Sequence, residues 1–253
     1  MNGIVIRGSG ARAGMMMWER ERMASLPIVL VPGLMCSARL YVPQLPVLWQ
    51  FGPVMVADHR QDDSMAAIAE RILAIAPPRF ALAGLSMGGY IAFVIAQKAP
   101  QRVVRLALLD TSPQPETPRQ TERRMPLIGL AKEGRLGEIV DALFPMLVHR
   151  DRHGDEELKH IVQAMAQETG AEAFVRQQKA IMTRPDARPF LASIACPTLV
   201  LVGEGDTLTP PALSQEIAAG IRGTNLVVVP ECGHLSTLER PDRVNAALAA
   251  WMA

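Results

Sequence analysis

The stretch ALAGLSMGGYIAF, residues 81–93, decides the fold of this 253-residue chain. Its first half is an apolar run, and its second half begins a helical pattern that continues to residue 98. Between them, Gly84-Leu85-Ser86-Met87-Gly88 matches G-x-S-x-G, a sharp turn that exposes a serine between a strand and a helix. Gly84 and Gly88 lack side chains that would collide across such a tight corner. An ordinary Gly-Ser turn is the alternative, but the strand–turn–helix setting favours Ser86 as a nucleophile.

Short apolar runs typical of buried parallel strands recur on both sides of this motif. They span residues 28–31, 54–57, 80–84, 103–109, 198–203 and 226–229. Helical patterns separate most of them, at residues 64–76, 88–98 and 241–252. Strands that alternate with helices predict an α/β fold, with a mostly parallel central sheet and helices on both of its faces.

The interval between Leu109 and Pro197 breaks this alternation, because it holds no good strand candidate. Helical patterns recur there near residues 119–132, 135–147, 155–169 and 171–182. We interpret the interval as a helical cap over the carboxyl ends of the strands, where α/β folds place their sites.

The predicted organisation follows from these patterns. Residues 26–112 and 191–253 form the core, and residues 113–190 form the cap. Residues 1–25 form an N-terminal tail with little core pattern beyond a short strand candidate at residues 4–6. Met23 is a candidate natural start, so we expect a chain that begins there to fold.

Composition narrows the class of protein. Hydrophobic residues make up 49% of the chain and charged residues 20%, with 26 Lys and Arg against 25 Asp and Glu. This balance offers no basic stripe to a nucleic acid. No apolar run approaches the roughly 18 residues of a membrane helix, and the N-terminus lacks the apolar core of a secretory signal. Cys36, Cys196 and Cys232 are too widely spaced for a disulfide framework, so we expect reduced, buried thiols in a cytoplasmic protein.

A serine hydroxyl is a poor nucleophile at its free pKa, so Ser86 needs a base from elsewhere in the chain. Three of the five histidines lie among charges in the cap and are interpreted as solvated: His149, His153 and His160. His59, in ADHR, is interpreted as a surface residue. His234 follows the last strand candidate and precedes the last helix, which is where enzymes with this serine turn place their histidine.

A carboxylate should orient His234 and stabilise its charged form. Asp206 is the preferred candidate, because it lies in a turn after the apolar run 198–203 and gives the chain order Ser86, Asp206, His234. Glu204 is a weaker candidate in the same turn. Asp110 is the serious rival, since it also follows a strand candidate.

A developing negative charge on the substrate needs hydrogen-bond donors. The backbone N–H of Met87, the residue after the nucleophile, supplies one. The exit of the first strand supplies the other, and we predict the N–H of Leu34, beside Gly33. Cys36 lies nearby, but it has no base next to it in sequence.

Four motifs together resemble the α/β-hydrolase superfamily, in particular small bacterial esterases and 3-oxoadipate enol-lactonase-like hydrolases. They are VPGLMCS (31–37), GLSMGGYIA (84–92), VGEGDTLTPP (202–211) and CGHLSTLERP (232–241). The resemblance implies catalytic Ser86, Asp206 and His234, with Leu34 and Met87 as oxyanion donors. The sequence departs from the family twice: Pro32-Gly33 replaces the usual His-Gly, and residues 1–25 supply at most one strand of the usual N-terminal hairpin.

The resemblance predicts hydrolysis of a small ester or lactone through an acyl-enzyme, with neither metal nor organic cofactor. Perhydrolysis, thioester cleavage and C–C hydrolysis are alternatives on the same site. A small-molecule binding protein without turnover is the alternative from another class. Four arginines are candidates to meet a substrate carboxylate, as an enol-lactone would require, although exposed arginines are more often solvated. They are Arg39, Arg123, Arg124 and Arg184.

Overall fold

A computed structural model describes residues 25–253 of the chain. Within that range six strands form one sheet in the order β2-β1-β3-β4-β5-β6, and every neighbouring pair is parallel. The strands are β1 (Ile28–Val31), β2 (Val54–Val56), β3 (Phe80–Leu85), β4 (Val103–Leu109), β5 (Thr198–Gly203) and β6 (Asn225–Val229). Each lies where an apolar run predicted it, so the predicted fold class is confirmed. The strand candidate at residues 4–6 lies outside the described residues.

Helices connect the strands. They are α1 (Leu45–Leu48), α2 (Met65–Ile75), α3 (Met87–Lys98), α4 (Pro118–Lys132), α5 (Leu136–Leu147), α6 (Glu156–Thr169), α7 (Ala171–Met182), α8 (Pro211–Gly220), α9 (Ser236–Glu239) and α10 (Pro241–Met252). Short 3-10 turns add Ala38–Gln44, Arg150–Arg152 and Arg188–Ser193. Helices α4 to α7 all fall between β4 and β5, in the interval that lacked a strand pattern. The bounds proposed for the core and the cap remain a prediction.

Local signals explain where several helices begin. Ser64 caps α2 by accepting a hydrogen bond from the Ala67 N–H at 3.2 Å, and Asp155 caps α6 by accepting one from the Leu158 N–H at 2.9 Å. Such caps satisfy N–H groups that have no partner inside the helix. Gly170 separates α6 from α7 with a φ of 80°, a conformation that glycine adopts without strain.

The sheet is buried on both faces because its strands are apolar at nearly every position. Side chains alternate across β1: Ile28 and Leu30 pack on one face and Val29 and Val31 on the other. The first face packs against α10, and the second packs against α2, α3 and α8. Apolar side chains of the α4–α7 interval belong to the same hydrophobic cluster as the first face. No helix in the described part of the chain is long and apolar enough to span a membrane.

Candidate active site

Ser86 lies between β3 and α3, at the carboxyl edge of the sheet. Its φ of 56° and ψ of −115° are unusual for a residue with a side chain. The turn is held on both sides, since the Ser86 N–H donates to the Leu109 carbonyl at 2.9 Å and the Thr111 hydroxyl donates to the Ser86 carbonyl at 2.8 Å. Backbone strain that is held in place by its surroundings in this way is typical of functional positions.

The glycines on either side of Ser86 are required by close backbone approaches. A Cβ on Gly84 would collide with the Gly88 carbonyl, and a Cβ on Gly88 would collide with the Val31 carbonyl. The first contact lets α3 start directly after β3, and the second packs α3 against β1. The sequence interpretation of both glycines therefore agrees with the packing around the turn.

His234 and Asp206 form a buried pair in the loops that follow β6 and β5. The Nδ1 atom of His234 lies 2.8 Å from Oδ2 of Asp206, and both residues are 3% exposed. Asp206 also accepts hydrogen bonds from the N–H groups of Leu208 and Thr209 and from the Thr209 hydroxyl, at 2.9, 2.9 and 2.6 Å. This network fixes the carboxylate and leaves Nε2 as the nitrogen of His234 that can serve as a base.

The two other acid candidates make different contacts. Asp110 is fully buried after β4, where Oδ1 accepts from the Gly203 N–H at 2.9 Å and Oδ2 accepts from the Ser236 hydroxyl. Glu204 is exposed. Of the three candidates, Asp206 is therefore the one that hydrogen-bonds His234.

The pKa values of His234 and Asp110 are raised, and the pKa of Asp206 is lowered. Burial lowers the pKa of His234, but the charge and hydrogen bond of Asp206 outweigh it, so the pKa is raised. Burial raises the pKa of Asp206, but His234 and Thr209 outweigh it, so the pKa is lowered. Burial and the nearby Asp206 charge raise the pKa of Asp110 well above its usual range. Asp206 therefore stays ionised beside His234, while Asp110 holds its proton to higher pH than an ordinary carboxyl.

The two predicted oxyanion donors lie in different loops: Met87 directly follows Ser86, and Leu34 follows β1. Met87 is the first residue of α3, so its N–H has no partner within the helix. Leu34 lies in the turn after β1, and its N–H has no hydrogen-bond partner among the described residues. In that turn, Gly33 places its Cα so that a Cβ would lie 3.5 Å from the Cβ of Ser86.

A cavity of about 250 Å³ lies beside Ser86 and His234. Ser86, His234 and Leu34 line it from the core, and helices α4, α5 and α7 cover it. The covering side chains are mostly apolar: Leu127, Leu143, Met146, Leu147 and Ile181. A serine and a histidine therefore face one small, largely apolar space, of the kind that takes a small ligand.

Comparison with known proteins places this arrangement in a family. The sequence profile of the alpha/beta hydrolase family matches residues 6–247, nearly the whole chain. The chain belongs to the alpha/beta hydrolase family. The resemblance found in its motifs is confirmed, and the protein is an enzyme of the hydrolase class.

Several relatives of this alpha/beta hydrolase are known. A thermophilic esterase from Thermogutta terrifontis, solved with malate bound, is 28% identical, with a TM-score of 0.81 over 90% of each chain. An enol-lactonase from Burkholderia xenovorans LB400 shares the fold with a TM-score of 0.83 at 23% identity, over 90% of this chain and 91% of that one. A 2-hydroxy-6-oxononadienedioate/2-hydroxy-6-oxononatrienedioate hydrolase from Paraburkholderia xenovorans is 26% identical over 81% of this chain and 73% of its own.

The structure corrects the interpretation of His59 in this hydrolase, which is buried rather than at the surface. Only 2% of it is exposed, and its Nε2 lies 3.0 and 3.1 Å from the carbonyls of Pro32 and Gly33. Its Nδ1 accepts from the Gln177 amide at 3.1 Å, and Gln177 in turn accepts from the Met35 N–H at 3.0 Å. Burial lowers the pKa of His59, which keeps the imidazole neutral. His59 and Gln177 thus hold the turn that carries Leu34.

A second contact missed by sequence reasoning joins the histidine loop to the interval α4–α7 of the hydrolase. Glu239 is buried, and its two carboxylate oxygens accept from the N–H groups of Gly233 and His149 at 3.0 and 2.7 Å. The His234 N–H donates to the Leu147 carbonyl at 3.1 Å. His149 is therefore largely covered, contrary to its interpretation as solvated, whereas His153 and His160 are exposed. No sequence motif marks a contact between residues so far apart.

The cysteines of the hydrolase only partly match expectation. Cys36 and Cys232 are buried free thiols, but Cys196 is half-buried. Cys36 lines the cavity, and burial raises its pKa to about 12, so it stays a thiol at neutral pH. A thiol in that state is a poor competitor to Ser86 as nucleophile.

Proposed function

We propose that this alpha/beta hydrolase cleaves a small carboxylic ester or lactone, with Ser86 as nucleophile, His234 as base and Asp206 as the acid that orients it. The observation that carries the proposal is the buried His234–Asp206 hydrogen bond of 2.8 Å on a cavity that Ser86 also lines. The strained turn at Ser86 and the esterase relative from Thermogutta terrifontis support it.

In the proposed reaction His234 takes the proton of the Ser86 hydroxyl through Nε2 while the serine oxygen attacks the carbonyl carbon. Asp206, which accepts from Nδ1, holds the imidazole in that tautomer and stabilises its charged form. His234 then gives the proton to the leaving alkoxide, and an acyl-enzyme remains. A water molecule, deprotonated by His234, releases the acid product.

The carbonyl oxygen becomes negative in the tetrahedral intermediate. We assign its stabilisation to the N–H groups of Leu34 and Met87, neither of which has a hydrogen-bond partner between residues 25 and 253. The positive end of α3 points towards the same place, since α3 begins directly after Ser86. Loss of one such donor typically lowers turnover by about 10² to 10³.

A second candidate, hydrolysis of a C–C bond next to a carbonyl, uses the same nucleophile and base. The relative from Paraburkholderia xenovorans, named for hydrolysis of 2-hydroxy-6-oxo dienedioates, favours keeping it. Perhydrolysis is also kept, because a putative non-heme bromoperoxidase from Mycobacterium tuberculosis is 28% identical over 79% of this chain. A panel of short-chain esters, lactones and thioesters, together with one 2-hydroxy-6-oxo dienedioate as the substrate for C–C hydrolysis, separates these reactions by the products formed.

The test of the proposal is hydrolysis of p-nitrophenyl acetate by the full chain and by Ser86→Ala. We expect the variant to lose activity by several orders of magnitude, since removal of the equivalent serine in a serine protease costs about 10⁶ in turnover. Ser193→Ala, at an exposed serine away from the cavity, is the matched control and should keep full activity. A Ser86→Ala variant as active as the control would overturn the proposal, and a folded but inactive wild type would favour a binding protein.

A further inference from the structure

The cavity beside Ser86 is unbalanced in charge. Arg123 and Arg124, both on α4, line it, and neither Asp nor Glu does so among the described residues. A second cavity of about 200 Å³ adjoins it and shares Arg123 and Tyr90 with it. That cavity is also lined by arginines and by no carboxylate. A neutral ester would gain no ion pair from these arginines, whereas an anionic substrate would.

Arg124 is held rigidly at the cavity wall. Its Nε lies 2.6 Å from Oε1 of Glu116, its Nη1 donates to the Gln178 side-chain carbonyl at 2.9 Å, and its side chain is 20% exposed. These contacts use only part of the donors of a guanidinium, which carries five N–H groups in a planar fork. The remaining donors are fixed in orientation before a ligand arrives, which lowers the entropic cost of binding it.

The buried ion cluster behind Arg124 carries a net positive charge. Glu116 is 3% exposed and bonds both Arg124 and Arg184, whose side chain is also 3% exposed. Arg184 also donates through Nε and Nη1 to the carbonyls of Gln114 and Ile181 and lies over the Tyr90 ring at 4.6 Å. One carboxylate therefore serves two guanidiniums. Buried charges are normally paired, and among the described residues this cluster has one positive charge more than its carboxylate balances.

Gln178 provides an independent sign that a ligand oxygen is missing. Gln178 is completely buried, and its side chain lines the same cavity. Its amide oxygen accepts from Arg124, but its amide nitrogen has no hydrogen-bond partner among the described residues. A buried donor without a partner is costly, and an acceptor atom of a ligand in the adjoining cavity would remove that cost.

Arg123 adds an exposed charge to the cavity lining. It is exposed, it forms no ion pair with any described residue, and it is the arginine that both cavities share. Arg39, by contrast, is neutralised on the outer surface by Glu168 at 2.6 Å. Of the four arginines singled out in the sequence, only Arg123 and Arg124 line the cavity that holds Ser86.

We propose that Arg124, positioned by Glu116 and Gln178, and Arg123 bind a carboxylate of the substrate, so that the enzyme prefers esters or lactones that carry a free carboxylate. A carboxylate is planar and matches the guanidinium fork with two parallel hydrogen bonds. It supplies the missing negative charge and an acceptor for Gln178. The inference rests on the proposed function, since it names the substrate class of the same site.

The expected substrates are half-esters of short dicarboxylic acids, or lactones with an acid side chain. Attack by Ser86 on a half-ester would release the alcohol, whereas attack on a lactone would open the ring and leave the new hydroxyl or keto group on the acyl chain. In both cases the acyl-enzyme keeps the bound carboxylate. Hydrolysis of that acyl-enzyme gives a dicarboxylic acid from a half-ester and a hydroxy- or oxo-dicarboxylic acid from a lactone. The carboxylate itself takes no part in bond making.

The test compares mono-p-nitrophenyl esters of four- to six-carbon dicarboxylic acids with the same esters methylated at the free acid. The readout is the ratio of kcat/KM for each acid to that for its neutral methyl ester, corrected for spontaneous hydrolysis. For the wild type we expect a ratio of about 10 to 100 for at least one chain length, the range that a charge-assisted hydrogen bond provides. Arg124→Gln should bring the ratio close to one, and Arg123→Gln should lower it several-fold, more at low salt than at high salt.

Arg79→Gln is the matched control, because it removes the same charge from an exposed residue at the amino end of β3, the opposite end from Ser86. Its ratio should equal that of the wild type. If Arg124→Gln does not fold, Arg124→Lys keeps the charge but loses the fork, and it should lower the ratio. As a binding measurement, adipate should compete with p-nitrophenyl acetate and do so more weakly in Arg123→Gln.

The carboxylate site and the esterase activity can be tested separately. A wild type that hydrolyses neutral and acidic esters equally well, through Ser86, would overturn the carboxylate site and leave the esterase in place. A ratio unchanged in both arginine variants would also overturn it. A wild type that hydrolyses none of these esters would overturn both.

Discussion

Single residues decide the chemistry through their neighbours. Asp206 faces four donors, two backbone N–H groups, the Thr209 hydroxyl and His234, so its carboxylate stays ionised despite burial. Asp110 has the same side chain and the same burial, but it has fewer donors and the Asp206 charge nearby. Identical residue types at neighbouring strand ends thus have pKa values shifted in opposite directions, upwards for Asp110 and downwards for Asp206.

The first prediction concerns pH. Only neutral His234 can take the Ser86 proton, so kcat/KM should rise with pH through the pKa of His234. Asp206 raises that pKa above the ordinary value of 6.5, so we expect the midpoint above 6.5. Asp206→Asn removes the charge and should shift the midpoint of the residual activity downwards. The measurement is kcat/KM for p-nitrophenyl acetate from pH 5 to 9, and a wild-type midpoint below 6.5 would contradict it.

The second prediction compares the two acids. Asp206→Asn should lower kcat by about 10⁴, as the analogous change does in a serine protease, because the imidazole loses its tautomer and its counter-charge. Asp110→Asn should cost less than about tenfold, since Asp110 bonds Gly203 and Ser236 rather than His234. Turnover of the two variants, with circular dichroism as the folding control, is the measurement. If Asp110→Asn lost most of its turnover while Asp206→Asn kept it, the acid of the triad would be Asp110, at the end of β4, instead of Asp206.

At the scale of elements, helix α7 reaches across to the turn that carries Leu34. Gln177, completely buried, accepts from the Met35 N–H and donates to His59, which holds the carbonyls of Pro32 and Gly33. Pro32-Gly33 was noted as a departure from the usual His-Gly of the family. In this chain His59, which follows β2, contacts the Pro32 and Gly33 carbonyls of that turn.

The third prediction tests this connection. Gln177→Leu should lower kcat by about 10- to 100-fold with little change in KM, because the Leu34 N–H shifts relative to the developing oxyanion. Loss of the whole donor, about 10² to 10³, is the upper limit. Gln177→Glu keeps the acceptor for Met35 and should recover part of the rate. Lys179→Gln, at an exposed position on the same helix, is the control, and an equal loss in that variant would argue against a specific role.

The fourth prediction separates two neighbours on α5. Leu143 lines the cavity, whereas Phe144 is 2% exposed and packs in the core without lining it. Leu143→Ala should shift the preference among p-nitrophenyl esters towards longer acyl chains, since it enlarges the cavity. Phe144→Ala should cost about 3–5 kcal/mol of unfolding free energy and leave the preference unchanged. Activity against acyl chain length checks the substrate preference, and urea unfolding checks the stability. If Phe144→Ala changed the preference and Leu143→Ala did not, then Phe144 rather than Leu143 would face the substrate.

At the scale of the whole molecule, the site is assembled from loops far apart in the chain. The carboxyl ends of β1, β3, β5 and β6 meet at one edge of the sheet, which brings residues 34, 86, 206 and 234 to one region. Glu239 and Gln177 then tie the helices over that edge to the loops beneath them. Movement of the α4–α7 interval would therefore disturb both the histidine loop and the turn at Leu34.

The fifth prediction concerns residues 1–22, which lie outside the described part of the chain. A chain that starts at Met23 should fold and keep its activity, because all six described strands pair with one another. The family profile begins at residue 6, so the outcome is informative. Thermal unfolding and p-nitrophenyl acetate hydrolysis of the two chains are the measurements. An insoluble or inactive shorter chain would show that the first residues complete the fold.

Local sequence determined the strands, most of the helices and the serine turn. Apolar runs, caps and close-approach glycines act over a few residues, so the order of elements and the position of Ser86 follow from neighbours in the chain. The chain order of the motifs also singled out His234 and Asp206 ahead of the other candidates. The sequence could not rank Asp206 above Asp110 by contact, since both follow a buried strand.

Only the tertiary structure decided which side chains meet. The partners of His59, Glu239 and Arg124 lie 118, 90 and 54 residues away, and no periodicity carries that information. Burial was misjudged for His59 because a polar residue after a strand is normally exposed, and here several hydrogen bonds stabilise it inside. The charge imbalance beside Ser86 likewise emerges only when α4 and α7 pack together. Hydrogen bonds and charges act through space, so their effects depend on how the folded chain brings distant segments into contact.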